Sequence, residues 1–183
     1  MKELSLHILD IIQNSIAAGA TLITLTIFES VGEDILTFTV TDNGCGMPEE
    51  MVRAVTDPFT TSRTTRKVGL GIPLLKMAAE QTGGKIRLSS AVGTGTTITA
   101  DFTYGHIDRQ PLGNMAETML GLITSHPDLD FVYQHRVEDA QYTLDTREMR
   151  KSLGGVPLSE SAVTLWLSDF LKENEAALWN HEI

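Results

Sequence analysis

Asp42-Asn43-Gly44-Cys45-Gly46-Met47 places a carboxylate, an amide, two glycines, a thiol and a thioether in consecutive positions. The alternating run Leu36-Thr37-Phe38-Thr39-Val40-Thr41 leads straight into it, so Asp42 stands where a strand ends and its carboxylate faces the space beyond the sheet edge. A carboxylate there accepts an exocyclic N–H, Met47 packs on a ring face, and Gly44 and Gly46 tolerate positive φ and close approach of another group. The stretch suits the floor of a pocket for a flat polar ring. Asp-Asn-Gly is equally turn chemistry, and alone the stretch fits both readings. A second group is His7, Asp10 and Asn14, spaced as one polar stripe of a helix, which is either functional or a solvated face. A third is Arg63, Arg66 and Lys67, three cations in an acidic chain, followed by Gly69-Leu70-Gly71. A basic loop and two glycines leading into a helix N-terminus make a phosphate site, with free N–H groups and the positive dipole end exposed. Neither a P-loop nor the dinucleotide glycine fingerprint is present.

The elements that must position these groups follow from periodicity. Leu4 to Ala18 reads as a helix that Gly19 stops, with Leu4, Ile8, Leu9, Ile11, Ile12 and Ile16 on its apolar side. Thr21 to Phe28 alternates as a strand and forms a hairpin with the strand ending in Asp42. Pro48-Glu49-Glu50 opens a short helix that ends before Asp57-Pro58, and Phe59 to Lys67 is a loop. Gly69 to Pro73 opens a helix closed by Gly83-Gly84, and strands over Lys85–Ser89 and Thr96–Tyr104 follow. The expected fold is α+β, a two-layer α/β sandwich with helices on one face of the sheet. Past a junction at Gly105 to Pro111, the periodicity predicts a helix over Leu112–Ser125 and a hairpin of Phe131–Arg136 with Ala140–Asp145. A short helix over Thr146–Leu153 and a final helix over about Ser159–Trp179, whose Ser159 and Glu160 fit a cap and an acidic first turn, complete it. The expected division is therefore 1–104 and a small α+β extension, 105–183, that packs on the sheet or binds a partner. His106, His126 and His135 lack metal-ligand spacing.

Composition narrows the function classes. A net charge of −10 over 183 residues argues against a nucleic-acid binder and against anionic membrane surfaces. The single cysteine, Cys45, excludes an internal disulfide and a cysteine-based zinc site. No long apolar run suggests a signal peptide or a membrane span, so a cytoplasmic protein is expected.

The motifs together resemble the GHKL ATPases with their Bergerat-type sheet, the superfamily of gyrase, the heat-shock chaperone, histidine kinases and the mismatch-repair ATPase. Asp10-Ile11-Ile12-Gln13-Asn14 looks like the first motif, Asp42 to Met47 the second, Gly69-Leu70-Gly71 the third and Gly95-Thr96-Thr97 the last. The likeness covers residues 4–104 and is nearest to stand-alone histidine-kinase-like and anti-sigma-factor kinase domains. It implies ATP and Mg2+ as ligands: Asn14 as the metal ligand, Asp42 accepting the adenine amino hydrogen with Thr96 supporting it through a water. It further implies Gly44, Gly46 and Met47 as the adenine wall, Arg63, Arg66 and Lys67 as a short lid, and Gly69, Leu70 and Gly71 as phosphate contacts. The general base in such ATPases is a glutamate four residues before the asparagine; that place here holds Asp10, one methylene shorter. His7 either pairs with Asp10 or is a polar edge residue, and Ser15, where the family has alanine, is expected to be neutral. The resemblance implies phosphoryl transfer to a protein or hydrolysis in signalling; the alternative is a non-catalytic nucleotide sensor that switches a protein partner. No helical hairpin carrying a phosphoacceptor histidine precedes the first helix, so a kinase of this kind is expected either to find its acceptor on another protein or to be incomplete, and a homodimer stays open.

Overall fold

The computed structural model describes residues 2–56 and 70–180, so the lid positions Arg63, Arg66 and Lys67, with Gly69, lie outside the described residues. In chain order the elements are α1 (Leu4–Ala17), β1 (Leu22–Ser30), β2 (Ile35–Asp42), α2 (Glu49–Thr56), α3 (Gly71–Gln81), β3 (Lys85–Ala91) and β4 (Gly95–Thr103). Then follow α4 (Met115–Ser125), β5 (Asp130–Val137), β6 (Ala140–Asp145), α5 (Thr146–Leu153) and α6 (Ser161–Leu178). The strands form one mixed sheet in the order β3-β4-β2-β1-β5-β6.

Strict alternation decides which face is covered. Ile23, Leu25 and Ile27 of β1, Leu36, Phe38 and Val40 of β2, and Ile98, Ala100 and Phe102 of β4 are buried. They meet the apolar stripes of the helices, Leu4, Ile8, Ile11 and Ile12 of α1 and Ile72, Leu75 and Ala79 of α3 among them. The residues between them turn to the other face, where Thr37 donates to Asp101 at 3.0 Å and the hydroxyls of Thr39 and Thr99 meet at 3.0 Å. Such cross-strand pairs hold a register that puts Asp42 opposite Thr96.

The sheet runs on past residue 104. β5 pairs parallel with β1, from Leu22 opposite Asp130 to Glu29 opposite Val137, and β6 closes the edge as an antiparallel hairpin partner. Residues 111 and 112 also reach back to α1, whose first N–H groups lack a side-chain cap. Leu4 N donates to Pro111 O at 2.9 Å and Ser5 N to Leu112 O at 2.8 Å. Helix α4 starts at Met115 rather than Leu112 because Asn114 caps it, accepting from Glu117 N. Helix α6 starts at Ser161, so Glu160 occupies the N-cap position, without a side-chain cap bond, rather than the expected acidic first turn behind a Ser159 cap.

One of the three scattered histidines anchors this extension. The imidazole of His135 is buried between Glu29 on β1, 3.0 Å from its Nε2, and Glu175 on α6, 2.9 Å from its Nδ1. Tyr133 and Tyr142 each donate a hydroxyl to Glu175 at 2.6 Å. Burial pushes the imidazole pKa down, but the two hydrogen-bonded carboxylates outweigh it and raise it from 6.5 to about 9. The folded-state pKa therefore exceeds the unfolded one. The stabilisation is complete below pH 6.5 and is lost as pH rises through about 9. A shift of this size corresponds to roughly 3 kcal/mol. Urea midpoints measured from pH 6.5 to 9.5 are expected to fall across this window; a flat profile contradicts the buried imidazolium.

Candidate functional site

Asp42 ends β2 and is 8% exposed, and three donors hold its carboxylate. The Gly44 amide donates to Oδ1 at 2.9 Å, the Thr96 amide to the same oxygen at 3.3 Å, and the Ser15 hydroxyl to Oδ2 at 2.6 Å. A carboxylate has about four lone-pair sites, so with these three donors bound Asp42 keeps capacity for a ligand N–H. Asn43 is spent on structure: its Oδ1 accepts from Thr21 N at 2.9 Å and Leu22 N at 3.0 Å, tying the end of β2 to the start of β1.

The loop after Asp42 is held from both sides. Cys45 N donates to Ala18 O beyond the end of α1, and Gly93 N in the β3–β4 turn donates to Cys45 O. Met47 N donates to Ser90 Oγ at 2.8 Å, and Ser90 lies 2.9 Å from the Thr96 hydroxyl. Gly46 has φ +68°, and a Cβ there would lie 2.0 Å from Ala91 O, so both its conformation and its closeness to β3 require glycine. Gly44 is not in the left-handed region; its constraint is contact, since a Cβ would lie 2.9 Å from Ala18 O.

Helix α1 forms the opposite wall. Asn14 is exposed, Ser15 buried and Asp10 half-buried on successive turns. A cleft of about 380 Å3 opens between α1, the Asp42 loop and β4. Asn14, Ser15, Asp42, Gly46, Met47 and Thr96 line it, with apolar walls from Ile11, Val40, Met51, Ile72 and Ile98. The fold thus brings together one predicted residue from the first motif, three from the second and one from the last. Asp10 and Gly71 are not in that lining but touch each other: a Cβ on Gly71 would lie 3.3 Å from Asp10 Cβ and 3.5 Å from its Oδ2. The first and third motifs therefore meet at the N-terminus of α3, where Leu70 is exposed at the N-cap position. Lys76 Nζ donates to Thr56 O at 2.7 Å, fixing α3 to the end of α2.

His7 is buried rather than an edge residue, and its partner is Gln110 Oε1, 3.1 Å from Nε2. Burial holds its pKa below the usual histidine value, which favours the neutral ring. Two residues of the site, Ser15 and Ser90, were not singled out by sequence reasoning. Ser15, expected to be neutral, donates its hydroxyl to Asp42. Thr96 supports Asp42 directly through its amide, while its hydroxyl engages Ser90. The signals were present, a hydroxyl next to Asn14 and a serine facing Thr96 across the β3–β4 hairpin, but neither announces its partner.

The donor set also bears on a metal. Among the described residues no three His, Cys, Asp or Glu side chains cluster to hold an ion. A hard cation here would depend on the Asn14 amide oxygen, with the remaining oxygens brought by water and a phosphorylated ligand, which suits Mg2+.

Comparison with known proteins bears on the family and the fold. The model of the family described as histidine kinase-, DNA gyrase B- and HSP90-like ATPases matches residues 2–105. A putative sensor protein of Shewanella frigidimarina (strain NCIMB 400) is 28% identical over 109 residues, 58% of this chain and 17% of that protein. The sensor histidine kinase AruS of Pseudomonas aeruginosa is 38% identical over 74 residues, 38% of this chain and 7% of that protein. The chain thus spans less than a fifth of the length of these relatives. The crystal structure of the N-terminal domain of a DNA repair protein superposes with a TM-score of 0.53 at 11% identity, covering 98% of this chain and 57% of that one. At that identity the likeness speaks for the fold, and it takes in the extension as well as the first 104 residues. No helix among the described residues is long and apolar enough to cross a membrane.

Proposed function

The chain belongs to the histidine kinase-, DNA gyrase B- and HSP90-like ATPases, and from that membership we propose that it binds Mg–ATP in the cleft beside Asp42 and passes the γ-phosphate to a protein residue or to water. The observation that carries the reading is the Asp42 carboxylate, fixed by the Ser15 hydroxyl and the Gly44 and Thr96 amides at the inner end of a cleft of about 380 Å3. Asp42 accepts an amino hydrogen of the base, and Gly46 and Met47 wall the ring. Asn14 holds the Mg2+, which when bound neutralises phosphate charge. Leu70 and Gly71 present α3's N-terminus to the phosphates, and Arg63, Arg66, Lys67 and Gly69, outside the described residues, belong to the proposed phosphate contacts. Asp10, beside Gly71, orients the attacking oxygen and takes its proton. The acceptor, or the partner that reads the nucleotide state, belongs to this proposal, as do a partner-binding role for residues 105–183, homodimerisation and a cytoplasmic location.

A second reading, a nucleotide sensor without turnover, is favoured by Asp10 standing half-buried outside the cleft lining. Purified protein given γ-labelled ATP and Mg2+ separates the two. Asp10→Asn is expected to lower label release or transfer by about 10²-fold, the scale of a general base, with ATP affinity unchanged. Asn14→Ala is expected to weaken the Mg2+-dependent part of binding. Tight binding with no turnover in wild type removes the first reading and leaves the sensor.

A further inference from the structure

β6 pairs with β5 alone, so among the described residues its other edge carries backbone N–H and C=O groups with no strand partner. Proteins commonly defend such an edge with lysine, proline or a bulge. The opposite edge, β3, carries Lys85 and Arg87. β6 has neither proline nor cation, and its one charge, Asp145, is spent at the N-cap of α5.

A groove of about 630 Å3 runs along that edge. It takes in Thr143, Leu144 and Asp145, and successive strand residues face opposite sides, so it follows the edge of β6 rather than one face. Among the described residues it touches none of β5, which places it on the outer side of the last strand. Its walls come from α5 and α6, Met149, Trp166 and Phe170 among them. Trp166 is 52% exposed yet held in place: its ring stacks on Phe170 at 5.2 Å between centroids, and Phe170 meets Tyr142 of β6 edge-on at 6.1 Å. The helices therefore offer apolar surface where one more strand would lie.

Charge selects what fits there. The charged residues that line the groove, among those described, are both acidic, Asp145 and Glu148. Glu148 meets Lys151 at 2.7 Å, but both side chains are largely exposed, and such pairs contribute little. Residues 105–183 hold thirteen Asp and Glu against six Lys and Arg, a net −7 of the chain's −10. A second copy would bring the same acidic surface and be repelled, whereas a basic chain is drawn in.

Resting on the partner-binding role read for residues 105–183, we infer that β6 and the groove beside it dock an extended basic segment of a partner protein, which adds to the sheet as a seventh strand. Main-chain bonds to β6 supply affinity, apolar side chains of the segment enter the groove against Trp166, and its cations face Glu148.

The probe is a fluorescein-labelled hexapeptide of alternating valine and lysine. Its controls are a valine–glutamate version and a valine–lysine version with every backbone amide N-methylated. Anisotropy titrations use the whole chain as wild type, Trp166→Ala and Trp179→Ala, the last an exposed residue outside the groove lining. Wild type is expected to bind the valine–lysine peptide and to bind both controls at least about tenfold more weakly. Trp166→Ala is expected to lose about tenfold and Trp179→Ala nothing. Bound peptide is expected to slow amide exchange at Ala140–Asp145. Equal affinity for the N-methylated peptide overturns strand addition. Binding unchanged in Trp166→Ala, or protection confined to other segments, overturns the groove while the partner role stands. A dimer of the chain alone that Trp166→Ala dissociates, read by sedimentation equilibrium, makes the occupant a second copy and overturns the inference too. If wild type binds none of the peptides, this inference and the partner role of the extension fall together, while Mg–ATP affinity, titrated on the same protein, is judged separately.

Discussion

Asp42→Asn is expected to weaken ATP binding about a hundredfold, ~3 kcal/mol, with the folded protein little less stable. The amide oxygen can keep the Gly44 and Thr96 bonds now made to Oδ1 at 2.9 and 3.3 Å. The NH2 group then takes the place of Oδ2, and the Ser15 hydroxyl, released from the carboxylate, can turn to Ile11 O, already 3.3 Å away. The scaffold is thus spared, but the ligand's amino group meets a donor instead of an acceptor and loses a charge-assisted bond. Calorimetric titration and urea unfolding on the same preparation separate the two effects. Affinity within threefold of wild type removes Asp42 from base recognition.

Gly46→Ala is expected to damage the site with a single methyl. The new Cβ must sit at φ +68° and 2.0 Å from Ala91 O, a backbone atom of β3 that cannot swing aside. The left-handed conformation costs a non-glycine residue about 1–2 kcal/mol, and the overlap adds the displacement of the loop that Met47 N anchors to Ser90. A total loss of about 3 kcal/mol or more is expected, together with ATP binding. Gly93→Ala provides the internal control. Its φ is +78° but nothing lies within 4 Å of its Cβ, so only the backbone term of ~1 kcal/mol applies. Equal losses in the two variants, read as urea midpoints, would show that the overlap at Ala91 is relieved at no cost.

The contrast between these two glycines shows what a sequence can carry. Alternation over Leu36 to Thr41 and helical spacing over Leu4 to Ile16 are local patterns, and the β1–β2 hairpin, α1 and the buried sheet face follow from them directly. The Asp42 stretch, open between turn and pocket on its own, becomes interpretable once Asn14, Gly69-Leu70-Gly71 and Gly95-Thr96 accompany it. Pairing between distant segments is another matter. β5 lies parallel to β1 although 100 positions separate Ser30, where β1 ends, from Asp130, where β5 begins, and an alternating strand announces its faces but not its neighbour. The same limit hid His135, which in sequence is one of several scattered histidines and in space sits between Glu29 and Glu175. It hid Ser15 too: the hydroxyl and the carboxylate it binds are 27 positions apart, and only the packing of α1 against the end of β2 brings them within 2.6 Å.

The account stands or falls on nucleotide at the Asp42 end of the cleft. Amide hydrogen exchange of the whole chain, with and without saturating Mg–ATP, reads this by position. The account predicts slowed exchange at Asp42 to Met47 and along α1 around Asn14 and Ser15. Exchange at β6, on the far edge of the sheet, is expected to stay unchanged. Absence of any ATP-dependent protection at Asp42 to Met47, or protection confined to other segments, would contradict it.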